Sequence, residues 1–172
     1  APRYSPPAPL EEKALPDHMI SVSAMFNGEF ELVGYSVDQD ARLPGDTVAV
    51  TLYWRGLTIM DADYNLALNM HGRGYANIGK LDTWPGGGLL PTHDWEPGSI
   101  YPDRYEFPLP NEDAAPTLLR LDISFWDNDL DHRLPIMVGD GSEVSSLTLY
   151  VGRLMEPEPY SFAPNSRDGY FH

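Results

Sequence analysis

Four residues near the middle of the chain are of the types that recognise sugars: Trp84, Asp94, Trp95 and Tyr101. A pyranose ring presents a flat C–H face that stacks on an exposed aromatic ring, and a nearby carboxylate accepts hydrogen bonds from its hydroxyls. Together they form a candidate glycan platform around the run Pro85-Gly86-Gly87-Gly88. A structural alternative stands beside it, in which Trp95 packs over one end of the fold as a plug. The plug is the favoured reading for Trp95, and both readings stand open for Trp84.

A second group is Asp127, Asn128, Asp129 and Asp131, which places oxygen ligands at alternating positions as a calcium loop does. The full loop pattern needs Gly at its sixth position and Glu at its twelfth, where this chain has His132 and Val138. Asp127, Asp129 and Asp131 therefore remain the candidate calcium ligands, with an Asp/Asn-rich turn as the ordinary alternative. No other cofactor is expected.

Other chemistries find no pattern. The glycine run lacks the Lys-Ser/Thr that completes a phosphate loop and reads as a flexible loop. The five histidines are dispersed without a zinc-binding spacing, and no Gly-x-Ser-x-Gly elbow holds a nucleophile. Adjacent carboxylates such as Glu11-Glu12 and Glu112-Asp113 fall in linker or turn, where they read as solvated charge. No catalytic residue is assigned.

The elements that must position these groups are strands. In the run 43–56, Val48, Val50, Leu52 and Trp54 fall on one side of an extended chain and Thr47, Ala49, Thr51 and Tyr53 on the other. Leu43-Pro44-Gly45-Asp46 is a turn in front of it, Pro presetting one φ and Gly accepting a left-handed one. Ile20, Val22 and Ala24 alternate in a first strand that reads as an edge, and Asn27-Gly28 turns it into a second over 30–37. Further strands are predicted at 66–70, 75–83, 101–110, 119–125, 133–138 and 147–151. Trp54 belongs to the core, whereas Trp126 lies out of phase with Leu121, Ile123 and Phe125 and belongs on the outer face or under a loop.

No helical pattern of eight residues competes. About nine strands at intervals of about 8 to 12 residues, separated by Gly/Pro turns, predict an all-β fold: a two-sheet antiparallel β-sandwich, immunoglobulin-like or jelly-roll-like. Residues 19–155 form the sandwich. Residues 1–18 are a Pro-rich linker and 156–172 an irregular tail, both marked by proline.

Charge and composition narrow the partners. With 26 acidic against 11 basic residues the net charge is −15, which repels phosphate backbones and excludes nucleic acid as the expected partner. The absence of cysteine removes disulfides, thiolate metal sites and cysteine nucleophiles. No apolar run approaches the roughly 18 residues of a membrane span. The opening Ala1-Pro2-Arg3 reads as an excised or processed start.

Several pieces then occur in a recognisable order: Tyr4-Ser5-Pro6-Pro7, Phe30-Glu31-Leu32-Val33-Gly34-Tyr35, Leu43-Pro44-Gly45-Asp46-Thr47 before Leu52-Tyr53-Trp54, and Gly88-Leu89-Leu90-Pro91-Thr92 before Trp95-Glu96-Pro97-Gly98. Asp103 with Tyr105 and the stretch 127–135 complete the set. It resembles the domain that follows the last membrane span of bacterial multi-spanning glycosyltransferases of the dolichyl-phosphate-mannose protein mannosyltransferase type. The resemblance implies a domain on the extracytoplasmic face of the cell membrane, tethered through the N-terminal linker to the membrane-embedded part of the same polypeptide, and does not settle what the domain binds. The expectation built on it is a non-catalytic accessory domain of a membrane glycosyltransferase that engages the glycan, the acceptor or the enzyme's own outer loops. In such proteins the catalytic acids lie in the membrane part, so none transfers to this chain. The alternatives are a free-standing carbohydrate-binding module that uses the loop aromatics, and a hydrolase whose carboxylates meet only in the fold.

Overall fold

The computed structural model describes residues 5–111 and 115–157 of the 172. Tyr4, Glu112, Asp113, His172 and most of the expected tail lie outside the described residues. Within them the chain forms strands β1 (Ile20–Phe26), β2 (Phe30–Val37), β3 (Ala41–Arg42), β4 (Thr47–Gly56), β5 (Asn65–His71), β6 (Asn77–Thr83), β7 (Ile100–Pro108), β8 (Thr117–Asp127), β9 (His132–Arg133), β10 (Ile136–Val138), β11 (Glu143–Val144) and β12 (Leu147–Leu154). Three of these are two-residue pairings, and the remaining nine match the alternating segments of the sequence.

The strands make two layers, one ordered β11-β10-β1-β2-β4-β7 and the other β3-β12-β8-β5-β6, with β9 paired to β8. All pairings are antiparallel except that of β12 with β3. The fold is an all-β two-sheet sandwich. Its core follows the alternation: Val48, Val50, Leu52 and Trp54 of β4 face Leu119, Leu121, Ile123 and Phe125 of β8, and all eight are fully buried. Phe30 stacks on Phe26 at 5.1 Å and meets Phe125 edge-on at 4.9 Å, which joins the two layers through aromatic contact.

Three segments depart from the expectation. β1 is not an edge, because β10 covers its free side and pairs Ala24 with Val138. The single strand expected over 133–138 is two, β9 in one sheet and β10 in the other. Pro135 lies between them, and a residue without an N–H cannot continue a ladder. The expected linker also enters the fold, since the Leu10 N–H donates to the Ile100 carbonyl at 2.7 Å and extends the edge of β7.

Candidate functional site

The 84–98 connection from β6 to β7 closes one end of the sandwich. It is built from two short 3-10 turns, Pro85–Gly88 and Thr92–Asp94. Gly86 and Gly87 take φ of +71° and +65°, values glycine adopts without a Cβ penalty. At Gly86 a Cβ would also stand 2.7 Å from the Leu90 Cβ, so this glycine is required twice over. Pro85 and Gly86 are buried, which replaces the flexible loop expected here with a seated cap.

The cap is fastened to a carboxylate that shares the inward face of β7 with Tyr101, Tyr105 and Phe107. Asp103 is fully buried. Its Oδ1 accepts the Gly86 N–H at 3.1 Å, and its Oδ2 accepts the Tyr105 hydroxyl at 2.6 Å and the Trp54 Nε1–H at 3.3 Å. A buried carboxylate keeps its place only where such donors replace water. A second fastening is Thr92, also fully buried, whose hydroxyl donates to the Ala62 carbonyl at 2.7 Å and accepts the Tyr64 N–H at 3.1 Å.

The four-residue glycan platform does not assemble. Trp95 is 2% exposed and Tyr101 4% exposed, so neither offers a ring face to a sugar. Trp95 instead lies edge-on to Phe30 at 5.1 Å, tilted against Trp54 at 6.1 Å, and donates its Nε1–H to the Leu90 carbonyl at 3.0 Å. The plug alternative describes it. Burial drives this outcome, because an indole covered by the core removes more apolar area from water than one standing on a loop. Trp84 remains 36% exposed, and Asp94 is on the surface, its carboxylate 3.0 Å from His93 Nε2.

Asp127, Asp129 and Asp131 do not form a calcium shell. Asp127 turns inward and its Oδ1 accepts the N–H groups of Asp129 and Leu130 at 3.0 and 3.2 Å, a carboxylate spent on its own turn. Asp129 and Asp131 are exposed. Among the described residues no group of three or more His, Asp or Glu side chains is placed to hold a metal ion.

Two histidine clusters were not legible from spacing. His93 bridges Asp63, 2.6 Å from Nδ1, and Asp94, and the hydrogen bond to Asp63 raises its pKa above the ordinary imidazole value, with the charges of Asp63 and Asp94 adding to the rise. His71 Nε2 lies 3.0 Å from Asp122, whose other oxygen accepts the Thr148 hydroxyl at 2.6 Å. The hydroxyl thus reaches the carboxylate and not the imidazole, the wrong order for a nucleophile activated by a base.

The remaining aromatic group is Trp126, placed by its phase on the outer face of the second sheet. It is half-buried there, beside Asn65 on β5 and across from Arg133 on β9, whose guanidinium carbon is 5.8 Å from the ring centroid. Trp126, Asn65, Asn128, Leu66, Ala67 and Asp82 line a groove of about 410 Å³. Its one sequence signal was the phase of Trp126.

The class defined by these features is an all-β sandwich with a sealed core, one capped end and an aromatic groove on an outer face. No protein-family model matches the chain, and no curated protein matches it. Among solved structures it is similar to Spo0M, a sporulation control protein from Bacillus subtilis, at 12% identity and a TM-score of 0.35. That match covers 81% of this chain and 50% of the other, so the chain spans about half the length of that protein. A likeness this distant carries no argument about function.

Proposed function

We propose that this chain is a non-catalytic accessory module on the extracytoplasmic face of the cell membrane. Its partner is the membrane-embedded part of the same polypeptide, a multi-spanning glycosyltransferase, and its role is contact with glycan or acceptor. The observation that supports the reading is the convergence of the motif residues. Trp54, Leu90, Thr92, Trp95, Asp103 and Tyr105 come from four separate stretches and meet at one capped end, where Asp103 bonds Trp54 and Tyr105, the Trp95 indole bonds Leu90, and Thr92 fastens the loop to Ala62 and Tyr64. An ordered set of individually ordinary motifs acquires a common purpose there, which favours a shared domain over coincidence.

The N-terminal segment adds to this. Leu10 is bonded to Ile100, and Pro7 lies against Gly86, its Cδ 3.3 Å from where a Cβ would stand. The described part of the N-terminal segment therefore meets the sandwich at its capped end, at Pro7 and Leu10.

Cysteine labelling in intact cells tests the location. The full-length protein carrying Ile59→Cys, at a position 71% exposed in a chain with no native cysteine, should react with a membrane-impermeant maleimide before lysis. Reaction only after lysis would contradict the proposal. The second reading, a free-standing carbohydrate-binding module, is favoured by the Trp126 groove but loses the loop aromatics Trp95 and Tyr101. The polypeptide upstream of Ala1 separates the two: a multi-span region supports the first, and a signal peptide or catalytic domain the second.

A further inference from the structure

The outer face of the second sheet carries a group of residues that neither the core nor the cap uses. Trp126 pairs with Asn65 in the β8–β5 ladder, and Ala67 pairs with Asp82 in the adjoining β5–β6 ladder. The side chains of one face alternate along each strand, so these four stand together on the side away from the core. Ala67 is small, and its neighbour across the ladder, Ser124, is small too, so the surface dips between the indole and Asp82. The result is the groove of about 410 Å³, a volume in the range of small-ligand sites.

The polar groups in it define the ligand. Asn128 Nδ2 donates to Asn65 Oδ1, which holds the two amides against each other and leaves the Asn65 Nδ2 donor and the Asn128 Oδ1 acceptor outside that bond. An adjacent donor and acceptor suit vicinal hydroxyls, each of which both donates and accepts. Asp82, exposed and 3.6 Å from Lys80, adds a hydroxyl acceptor on the flank. Trp126 supplies the apolar face on its β5 side, while the Arg133 guanidinium lies over the ring from the β9 side, 5.8 Å from its centroid and within cation–π reach, outside the groove lining. An aromatic plane with a hydroxyl-matched amide pair and a carboxylate has the chemistry that suits a sugar, and the net charge of −15 disfavours acidic sugars.

From this arrangement we propose that the Trp126 groove binds a neutral hexopyranose unit of an oligosaccharide, its C–H face on the indole and two adjacent hydroxyls on Asn65 and Asn128. This deepens the accessory-module reading by naming the glycan-contacting surface, and rests on that reading only for its biological setting. The groove lies where β5 begins and β8 ends. That is the capped end, because Thr83 at the end of β6 pairs with Leu66 and leads directly into the cap. Groove and N-terminal segment therefore share one end, which would hold a bound glycan close to a tethered enzyme.

The test is a nitrogen–proton correlation NMR titration of the chain with cellotetraose, mannotriose and galactotriose, with a hyaluronan tetrasaccharide as the acidic comparison and a peptide of residues 156–172 as the competing ligand. The proposal expects saturable shifts at the Trp126 indole, Asn65 and Asn128 with at least one neutral oligosaccharide. It also expects a tenfold or greater loss of affinity in Trp126→Ala and none in Trp84→Ala. Asn128→Ala, a change at an exposed side chain, should weaken binding several-fold with an unchanged urea midpoint, so the proposal remains testable if Trp126→Ala misfolds. No shift with any neutral sugar at 10 mM, binding that survives Trp126→Ala, or shifts at Trp126 with the proline-rich peptide alone would each overturn it. Maleimide labelling before lysis would still stand in those cases, so a failed groove and a failed location are separate results.

Discussion

Tyr105 donates its hydroxyl at 2.6 Å to Asp103, two residues earlier on the same strand, and both side chains face the interior of the sandwich. The same carboxylate oxygen receives the indole N–H of Trp54 from the neighbouring strand, while the other receives the backbone of the glycine-rich cap. One acidic residue thus ties a sheet edge, a core tryptophan and the closing loop together.

Removing that carboxylate should be costly. Asp103→Ala takes the acceptor away from the buried Gly86 N–H and Trp54 indole N–H, and at roughly 1–3 kcal/mol for each unsatisfied group the loss should be about 2 kcal/mol or more. Asp103→Asn should fall between this variant and the wild type, because its amide keeps one acceptor but turns an N–H toward the Gly86 N–H. Urea unfolding followed by tryptophan fluorescence gives the order. An Asp103→Ala midpoint equal to that of the wild type would refute the role assigned to the carboxylate.

The two tryptophans that flank the cap should behave oppositely. Trp95→Ala empties the plug and should cost about 3–5 kcal/mol, the range for large aromatic truncations in a core. Trp84→Ala, at a position 36% exposed, should change stability by about 0.5 kcal/mol or less. Equal effects in urea unfolding would mean that the loop is not seated as described.

Much of this was readable from the residues, for a physical reason. Alternation reports burial wherever a strand has one face on the core, and so β4 and β8, Trp54 and the outward phase of Trp126 followed from period two. The cap did not follow, because 84–98 has no period to relate position to exposure, so residue type alone offers Trp95 both as plug and as platform and gives no sign that Tyr101 is sealed beneath the loop. Asp103 was obscured differently: it keeps the phase of Tyr101, Tyr105 and Phe107, but a carboxylate in a core position is recognised only once its donors are known. Pro135 did carry the signal for the break between β9 and β10, in its missing N–H. The groove needed three strands in register, which no single stretch reveals.

The bridge through His93 gives a pH dependence. Its pKa is raised chiefly by the hydrogen bond to Asp63, so the folded chain favours the protonated ring. The stability this contact contributes is complete below the ordinary imidazole pKa of about 6.5 and is lost as pH rises through the higher folded value. An NMR titration should place the His93 pKa above 6.5 in the wild type and lower in Asp63→Asn. The urea midpoints of the two proteins should differ more at about pH 5.5 than at about pH 8.5. A larger difference at the alkaline pH would contradict the assignment.

The capped end depends on where the tryptophans of the closing loop stand, and hydrogen exchange of the indole N–H groups reads this directly. After transfer to deuterated water, the Nε1–H signals of Trp54 and Trp95, bonded to Asp103 and to the Leu90 carbonyl, should persist long after that of Trp84 has vanished. A Trp95 signal lost as quickly as that of Trp84 would show an open loop, return those aromatics to the surface and contradict the capped sandwich.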